Sequence, residues 1–122
     1  MRILLVDDAK FARLMLGNLV REFGHDVVAE AKDGLDAIRK YQVHKPDLVI
    51  MDITMPVMNG IEATKKIKEI DPAANIVIAS AMGQKEVVVD AIKSGAMDFI
   101  VKPFQKTKIE EVLKKIQYSK IA

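Results

Sequence analysis

The chain has 122 residues, 50% of them hydrophobic, which suits one domain with a packed core of its own. It contains no cysteine, which excludes disulfides, thiol catalysis and cysteine-ligated metal sites and fits a cytoplasmic protein. No apolar run approaches the roughly 20 residues that a membrane span requires, and the apolar start of the chain meets acidic residues too early for a signal peptide.

The formal net charge is only +2, but the charges are unevenly distributed. Residues 102–122 hold six lysines and two glutamates, so the rest of the chain has a net charge of −2. A basic end can indicate nucleic-acid binding, yet the chain has two tyrosines, no tryptophan and no arginine cluster to support it. We therefore expect an exposed helix face here, and neither nucleic-acid binding nor membrane insertion.

Short apolar segments alternate with helical patterns along the chain. In chain order, strands and helices are predicted in turn at residues 3–6, 9–23, 27–29, 34–43, 48–51, 61–70, 76–79, 84–94, 99–101 and 106–118. The strand segments are nearly unbroken runs rich in valine and isoleucine, which is typical of a parallel sheet covered on both faces. Gly24 and Gly95 are placed to end helices, and Pro46 and Pro72 follow helical segments that cannot continue through them.

The order of these elements predicts an α/β fold. The spacing between strands leaves room for one crossover helix each time, which indicates a (βα)₅ doubly wound parallel five-stranded sheet with right-handed crossovers. We expect the flavodoxin-like strand order 2-1-3-4-5. Because the chain shows no linker, low-complexity tract or repeat, we expect one domain spanning residues 1–122.

Polar residues follow four of the predicted strands at the edge where such sheets bind ligands. Asp7 and Asp8 follow the first strand, Asp52 the third, Ser80 the fourth and Lys102 the fifth. Three carboxylates at one edge repel one another, and a bound Mg²⁺ removes that repulsion because it prefers oxygen ligands. With an amine and a hydroxyl opposite, the pattern indicates phosphoryl transfer to a carboxylate nucleophile.

Each of these residues, taken alone, also has a purely structural interpretation. Asp8 can cap the first helix, and Asp52 can begin a turn. Ser80 can satisfy a backbone group at the end of a strand, and Lys102 can be an ordinary exposed lysine. Their shared position at one edge of the predicted sheet favours the functional interpretation.

These segments together resemble the signature of two-component response-regulator receiver domains, and the resemblance covers the whole chain. The segments are Val6-Asp7-Asp8, Met51-Asp52-Ile53-Thr54-Met55-Pro56-Val57-Met58-Asn59-Gly60, Ser80-Ala81 and Lys102-Pro103-Phe104. Within the family the sequence is most similar to single-domain chemotaxis regulators of the CheY type, through residues 51–56, 80–84 and 98–105.

The resemblance implies a metal-assisted phosphoacceptor. Asp52 would accept the phosphoryl group. Asp8, Asp52 and the backbone carbonyl of Thr54 would bind Mg²⁺, or Mn²⁺ in its place, with Asp7 acting mainly through water. The side chains of Thr54 and Met82 would flank the phosphoryl group, and Met82 implies no unusually fast self-dephosphorylation.

The resemblance also implies a switch. Lys102 would pair with the phosphoryl group, and its bond to Pro103 would be cis. Ser80 would move to bond a phosphoryl oxygen once Asp52 is modified. The aromatic switch position falls at Phe99, where tyrosine is common in the family.

The implied function is that of a stand-alone cytoplasmic response regulator. It would receive its phosphoryl group from a CheA-like sensor histidine kinase and signal through helix 4, strand 5 and helix 5 to a separate protein, such as a flagellar motor component. A phosphatase is a further expected partner. The chain would not be an enzyme beyond catalysing its own phosphorylation and dephosphorylation. In helix 4, the consecutive Val87, Val88 and Val89 cannot all face the core, so at least one is expected near the surface.

Rival functions fit less well. A flavodoxin-like cofactor protein needs a phosphate loop where this chain has the acidic residues 7–8, and a phosphatase of the haloacid-dehalogenase kind needs an acid where this chain has Thr54. A receiver-like interaction module that is never phosphorylated and a phosphorelay intermediate remain as alternatives.

Overall fold

The computed structural model describes the backbone of residues 1–121 and the side chains of residues 1–119. Strands and helices alternate in the order β1 (Arg2–Val6), α1 (Lys10–Glu22), β2 (Asp26–Ala31), α2 (Gly34–His44), β3 (Leu48–Asp52), α3 (Gly60–Ile70), β4 (Ile76–Ser80), α4 (Lys85–Lys93), β5 (Asp98–Val101) and α5 (Lys106–Ile121). The strands form one parallel sheet in the order β2-β1-β3-β4-β5. The predicted fold class and strand order are confirmed.

The sheet is covered on both sides because successive strand residues point to opposite faces. On β1, Leu4 and Val6 pack into one core, with buried residues of α2, α3 and α4. Ile3 and Leu5 pack into the other core, with buried residues of α1 and α5. The predicted apolar stripe of α5 is buried there and consists of Ile109, Val112, Leu113 and Ile116. Burying each of these side chains contributes about 1.5–3 kcal/mol.

One strand differs from its prediction. β3 and β4 are buried along their whole length, as expected for strands covered on both faces. β2 pairs only with β1 at the rim of the sheet, and it is longer and more exposed than the apolar segment at residues 27–29 indicated. The apolar pattern predicted too short a strand, because an edge strand tolerates exposed charged side chains and β2 has such residues near its ends.

The helix ends agree with the sequence signals. Gly24 and Gly95 follow α1 and α4 with φ values of 87° and 111°, a left-handed conformation that glycine adopts without strain. Asp33 and Asn59 cap α2 and α3 by accepting hydrogen bonds from the backbone of Asp36 and Glu62. None of the helices in residues 1–121 combines the length and apolar character that spanning a membrane requires.

Candidate functional site

Three carboxylates meet at the carboxyl edge of the sheet. Asp52 ends β3, and Asp7 and Asp8 follow β1, which is hydrogen-bonded to β3 with Val6 opposite Met51. Each of the three acids offers a carboxylate oxygen, and these oxygens lie within 4.8 Å of one another. The parallel sheet therefore brings together side chains that are more than 40 residues apart in the chain.

Lys102 reaches this cluster from the end of β5. Its Nζ atom lies 2.6 Å from Oδ2 of Asp7 and 3.5 Å from Oδ1 of Asp52. The Asp7 carboxylate also accepts a hydrogen bond from the backbone N–H of Ala9 at 2.9 Å. In this state the lysine is paired mainly with Asp7, which leaves Asp52 the less closely paired of these two carboxylates.

The surroundings of Asp52 disfavour its charged form. Only 8% of the residue is exposed, and burial raises the pKa of its carboxyl above the ordinary value. The neighbouring Lys102 lowers that pKa and the negative charge of Asp7 raises it, with a net upward shift. A positive ion at the cluster would counter this effect by favouring ionised Asp52.

The donor atoms of the cluster fit a hard divalent cation. Carboxylate oxygens are the ligands that Mg²⁺ and Mn²⁺ prefer, and no sulfur or imidazole ligand belongs to the cluster among the described residues. Thr54 lies two residues beyond Asp52, in the loop between β3 and α3, and its side chain is exposed. Its hydroxyl donates to the sulfur of Met82 at 3.7 Å, which brings both predicted flanking residues to the same side of the site.

Ser80 is buried at the end of β4, with 1% of the residue exposed. Its hydroxyl oxygen accepts a hydrogen bond from the backbone N–H of Met82 at 3.0 Å. Ser80 thus satisfies the Met82 N–H just after the strand, as expected if its role is structural. Its hydroxyl proton remains able to donate to another acceptor. Asp52 and Ala79 are opposite each other in the sheet, so Ser80 lies one residue further towards the carboxyl edge than Asp52.

The other residues of the predicted switch lie on β5 and directly after it. Phe99 points inward and packs in the core that includes α4, with 9% of the residue exposed. The peptide bond between Lys102 and Pro103 is cis, the conformation that the resemblance implied. The backbone N–H of Lys102 donates to the carbonyl of Ser80 at 2.8 Å, which joins the two strand ends.

The interpretation of Asp8 as a helix cap is wrong. The cap of α1 is Ala9, which has no side-chain capping bond, and α1 has no acidic residue in its first turn. The Asp8 side chain is instead exposed at the rim of the carboxylate cluster. Its position therefore has no explanation in helix capping.

Two residues beside the site had no role assigned from the sequence, although Gly60 belongs to the motif at residues 51–60. Arg13 donates from Nη1 to the backbone oxygen of Asp7 at 2.6 Å and from Nε to Glu30 at 3.0 Å. Gly60 starts α3 so close to β3 that an added Cβ would lie 1.9 Å from the carbonyl oxygen of Asp52. Arg13 had only its position on the helix after the acidic pair as a signal, and Gly60 had its place at the end of that motif, where the next helix begins.

Comparison with known proteins gives a consistent result. A family model described as the response regulator receiver domain matches residues 3–114. The chemotaxis protein CheY of Thermotoga maritima is 54% identical over 115 residues, which cover 94% of this chain and 96% of the relative. CheY of Bacillus subtilis is 55% identical over 114 residues, which cover 93% and 95% of the two chains.

Solved structures agree with the sequence relatives. The fold is similar to the crystal structure of the CheX-CheY-BeF3-Mg+2 complex from Borrelia burgdorferi, with a TM-score of 0.92 and 35% identity, covering 95% of this chain and 88% of that chain. The response regulator domain of Thermotoga maritima CheB has a TM-score of 0.85 and 35% identity, covering 97% and 94%. The similarity thus extends over nearly the whole chain in sequence and in fold.

Proposed function

This chain belongs to the response regulator receiver family, and on that basis we propose that it accepts a phosphoryl group on Asp52 and signals to a separate protein. The observation that carries the proposal is the convergence of Asp7, Asp8 and Asp52 within 4.8 Å, with Lys102 reaching in from β5. Asp52 suits the nucleophile because Asp7 already holds Lys102 and the N–H of Ala9. Asp8 lies exposed at the rim, where it suits a metal ligand.

The residues that would hold Mg²⁺, or Mn²⁺ in its place, are Asp8, Asp52 and the backbone carbonyl of Thr54, with Asp7 acting through water. When bound, the ion supplies positive charge that neutralises oxygens of the transferring phosphoryl group. The CheX-CheY complex from Borrelia burgdorferi contains BeF3 and Mg²⁺, which supports this part of the proposal. The raised pKa of Asp52 supports it too. A bound cation would offset this upward shift and so keep the carboxyl ionised and nucleophilic.

The chemistry of the chain's own residues follows from their positions. A carboxylate oxygen of Asp52 attacks the phosphorus of a phosphohistidine, a P–O bond forms, the P–N bond breaks, and the released imidazole takes up a proton. The Lys102 ammonium, 3.5 Å from Asp52, turns from Asp7 to the new phosphoryl oxygens. The Ser80 hydroxyl leaves the N–H of Met82 and donates to a phosphoryl oxygen.

These rearrangements connect the site to one face of the molecule. The phosphoryl group adds nearly two negative charges, and its contacts with Ser80 and Lys102 differ between the two states, so it shifts an existing equilibrium. Phe99 lies on β5, the strand that directly precedes Lys102, and packs in the core that includes α4. The exposed output face comprises α4, β5 and α5 and includes Val89 and Val101, which are 39% and 50% exposed.

The proposed partners are a CheA-like sensor histidine kinase, a downstream protein such as a flagellar motor component, and a phosphatase. We place the chain in the cytoplasm and in a chemotaxis pathway. The identity to two CheY proteins supports this pathway. Large exposed apolar side chains of α1, namely Phe11, Leu14 and Met15, support a protein phosphodonor, because Phe11 and Met15 line a groove that extends to Lys102. The chain acts as an enzyme only on itself.

Phosphotransfer from a purified CheA-like kinase that carries radioactive phosphate tests the proposed acceptor. We expect the label to pass to the wild-type chain in the presence of Mg²⁺ and not to the Asp52→Asn variant. Asp90→Asn is the matched control, because Asp90 is an exposed acid on α4. Equal labelling of Asp52→Asn and the control would overturn the assignment, and no labelling of the wild type would favour an interaction module that is never phosphorylated.

Nuclear magnetic resonance with beryllofluoride and Mg²⁺ tests the proposed output face. We expect the methyl resonances of Val89 and Val101 to shift when the reagent occupies the site. Val43 is the internal control, because it is equally a solvent-exposed valine but lies on α2, outside the proposed face. Shifts of equal size at Val43 and Val101 would contradict a signal directed to one face.

A further inference from the structure

An arginine of α1 joins the acidic loop after β1 to the edge strand β2. The Nη1 atom of Arg13 donates to the backbone oxygen of Asp7 at 2.6 Å, and Nε donates to Oε1 of Glu30 at 3.0 Å. The Arg13 side chain is only 16% exposed. A planar guanidinium holds two acceptors in fixed relative directions, which a lysine cannot do.

The bond to Asp7 bears directly on Asp8. The backbone oxygen of Asp7 belongs to the peptide group that joins Asp7 to Asp8, and this group is planar. Holding the oxygen therefore sets the direction in which the Asp8 backbone and side chain leave the loop. The other side of Asp7 is held as well, because its N–H donates to the carbonyl of Ala31 on β2 at 3.1 Å.

One other bond restrains the backbone at Asp8, from the N–H of Ala9 to the Asp7 carboxylate at 2.9 Å, but nothing within the described residues holds the Asp8 side chain. Its side chain is exposed, and no hydrogen bond or ion pair from those residues holds its carboxylate. The start of α1 offers no substitute, because the cap Ala9 makes no side-chain bond. Arg13 itself is well placed, since its backbone N–H donates to the carbonyl of Ala9 in the first turn and helical side chains point back towards the N-terminus.

We propose that Arg13 is a positioning residue that, anchored by Glu30, orients Asp8 to bind the divalent cation. This inference rests on the metal site of the proposed function. The positive charge of Arg13 by itself would repel a cation, but its Glu30 partner offsets that charge at 3.0 Å. The geometric effect therefore exceeds the electrostatic one, and Arg13 raises the affinity for Mg²⁺. Residues that orient metal ligands typically change metal affinity by about 10- to 100-fold when replaced.

The test removes the Arg13–Glu30 pair without changing the net charge. The double variant Arg13→Gln with Glu30→Gln is compared with Glu22→Gln with Lys106→Gln, which removes an ion pair that also involves α1 but lies at its other end. Isothermal titration of the whole chain with Mg²⁺ measures the dissociation constant. We expect it to rise about 10-fold in the first variant and to stay within about 2-fold of wild type in the second.

The outcomes separate this inference from the proposed function. Wild-type binding of Mg²⁺ with an unchanged dissociation constant in the Arg13–Glu30 variant would overturn the role of Arg13 alone. Absence of Mg²⁺ binding by the wild type would overturn the metal site itself. If the double variant does not unfold cooperatively, Arg13→Lys replaces it, because a lysine keeps the charge but cannot hold both acceptors. A clear loss of affinity is expected there too, and wild-type affinity would refute the positioning role.

Discussion

At the residue scale, the proposed function of Asp52 conflicts with its effect on stability. Its carboxyl is buried beside two other carboxylates, an arrangement that folding alone does not favour. The Lys102 ammonium and a hydrogen bond from the backbone of Ile53 compensate part of this repulsion at Asp52. Functional sites commonly retain such unfavourable groups, and replacing them then stabilises the fold.

Replacing Asp52 with asparagine should therefore stabilise the protein without metal by about 0.5–2 kcal/mol at neutral pH. The folded-state pKa of Asp52 is raised above the ordinary value of 3.8, so folding favours its protonated form. Its favourable contribution to wild-type stability is present below about pH 3.8 and is lost as pH rises through the folded-state pKa. The advantage of the variant should thus grow from acidic to neutral pH.

Urea unfolding followed by circular dichroism measures this difference. Asp90→Asn serves as the control, because that acid is exposed on α4, and its stability should stay within about 0.5 kcal/mol of wild type. A wild type more stable than Asp52→Asn at neutral pH, in EDTA, would contradict the electrostatic interpretation.

The positions of the site residues could be predicted because the ends of parallel strands share one edge. Asp7, Asp52 and Lys102 needed only the strand assignments to be brought together. The preference of Lys102 for Asp7 could not be predicted, since it depends on side-chain distances of a few ångströms. The bond from Arg13 to a backbone oxygen was missed for the same reason, because backbone acceptors leave no mark in the sequence.

At the element scale, the approach of α3 to β3 depends on a glycine. An added Cβ at Gly60 would lie 1.9 Å from the carbonyl oxygen of Asp52, a backbone atom that cannot move aside. Gly60→Ala should destabilise the fold by about 1–3 kcal/mol or more and slow phosphorylation of Asp52. Urea unfolding and the rate of acetyl phosphate labelling measure both effects.

Gly17→Ala is the matched comparison for that change. A Cβ at Gly17, within α1, would lie 3.1 Å from the end of the exposed and flexible Arg21 side chain. Because alanine is more favourable than glycine in a helix interior, the free energy of unfolding of this variant should rise by about 0.5–1 kcal/mol. Equal losses of stability in Gly60→Ala and Gly17→Ala would contradict a specific role for the close contact between α3 and β3.

A lysine of α3 closes the turn that leads to β4. Lys68 Nζ donates to the carbonyls of Pro72 and Ala74 at 2.6 Å and 3.0 Å. Lys68→Met keeps the apolar stem but removes both bonds, and should destabilise the fold by about 1–2 kcal/mol in urea unfolding. The control Lys66→Met loses only a 3.9 Å pair with Glu69 on the surface and should change stability little. An unchanged free energy of unfolding in Lys68→Met would contradict a role for these bonds in holding the turn.

The elements were predicted well where burial alone determines them and less well where it does not. The unbroken apolar segments of β3 and β4 could be assigned because both faces of these strands are covered. β2 extends to Asp26 at the edge of the sheet, where exposed polar residues break the pattern that predicts strands. Val89 is exposed on α4 while Val87 and Val88 are partly buried, as three consecutive valines on a helix required.

At the scale of the whole molecule, the sheet connects the carboxylate cluster to the proposed output face. Ser80 ends β4, Lys102 directly follows the neighbouring strand β5, and the two residues share a backbone hydrogen bond, so movement at the cluster would affect both strands. Phe99 lies on β5 and belongs to the core that includes α4. Two packed cores support the sheet from either side. In the proposed function, this close packing leaves little room to absorb a movement at the cluster, so the movement would pass along the strand ends.

Intact-protein mass spectrometry after incubation with acetyl phosphate and Mg²⁺ tests most directly whether Asp52 is the phosphoacceptor. The wild type and the Asp90→Asn control should gain about 80 Da, the mass of one phosphoryl group, and Asp52→Asn should gain nothing. The gain should disappear in EDTA, because the carboxylate cluster then lacks its cation. An adduct that persists in Asp52→Asn, or a wild type that gains no mass with Mg²⁺ present, would contradict phosphorylation at this site.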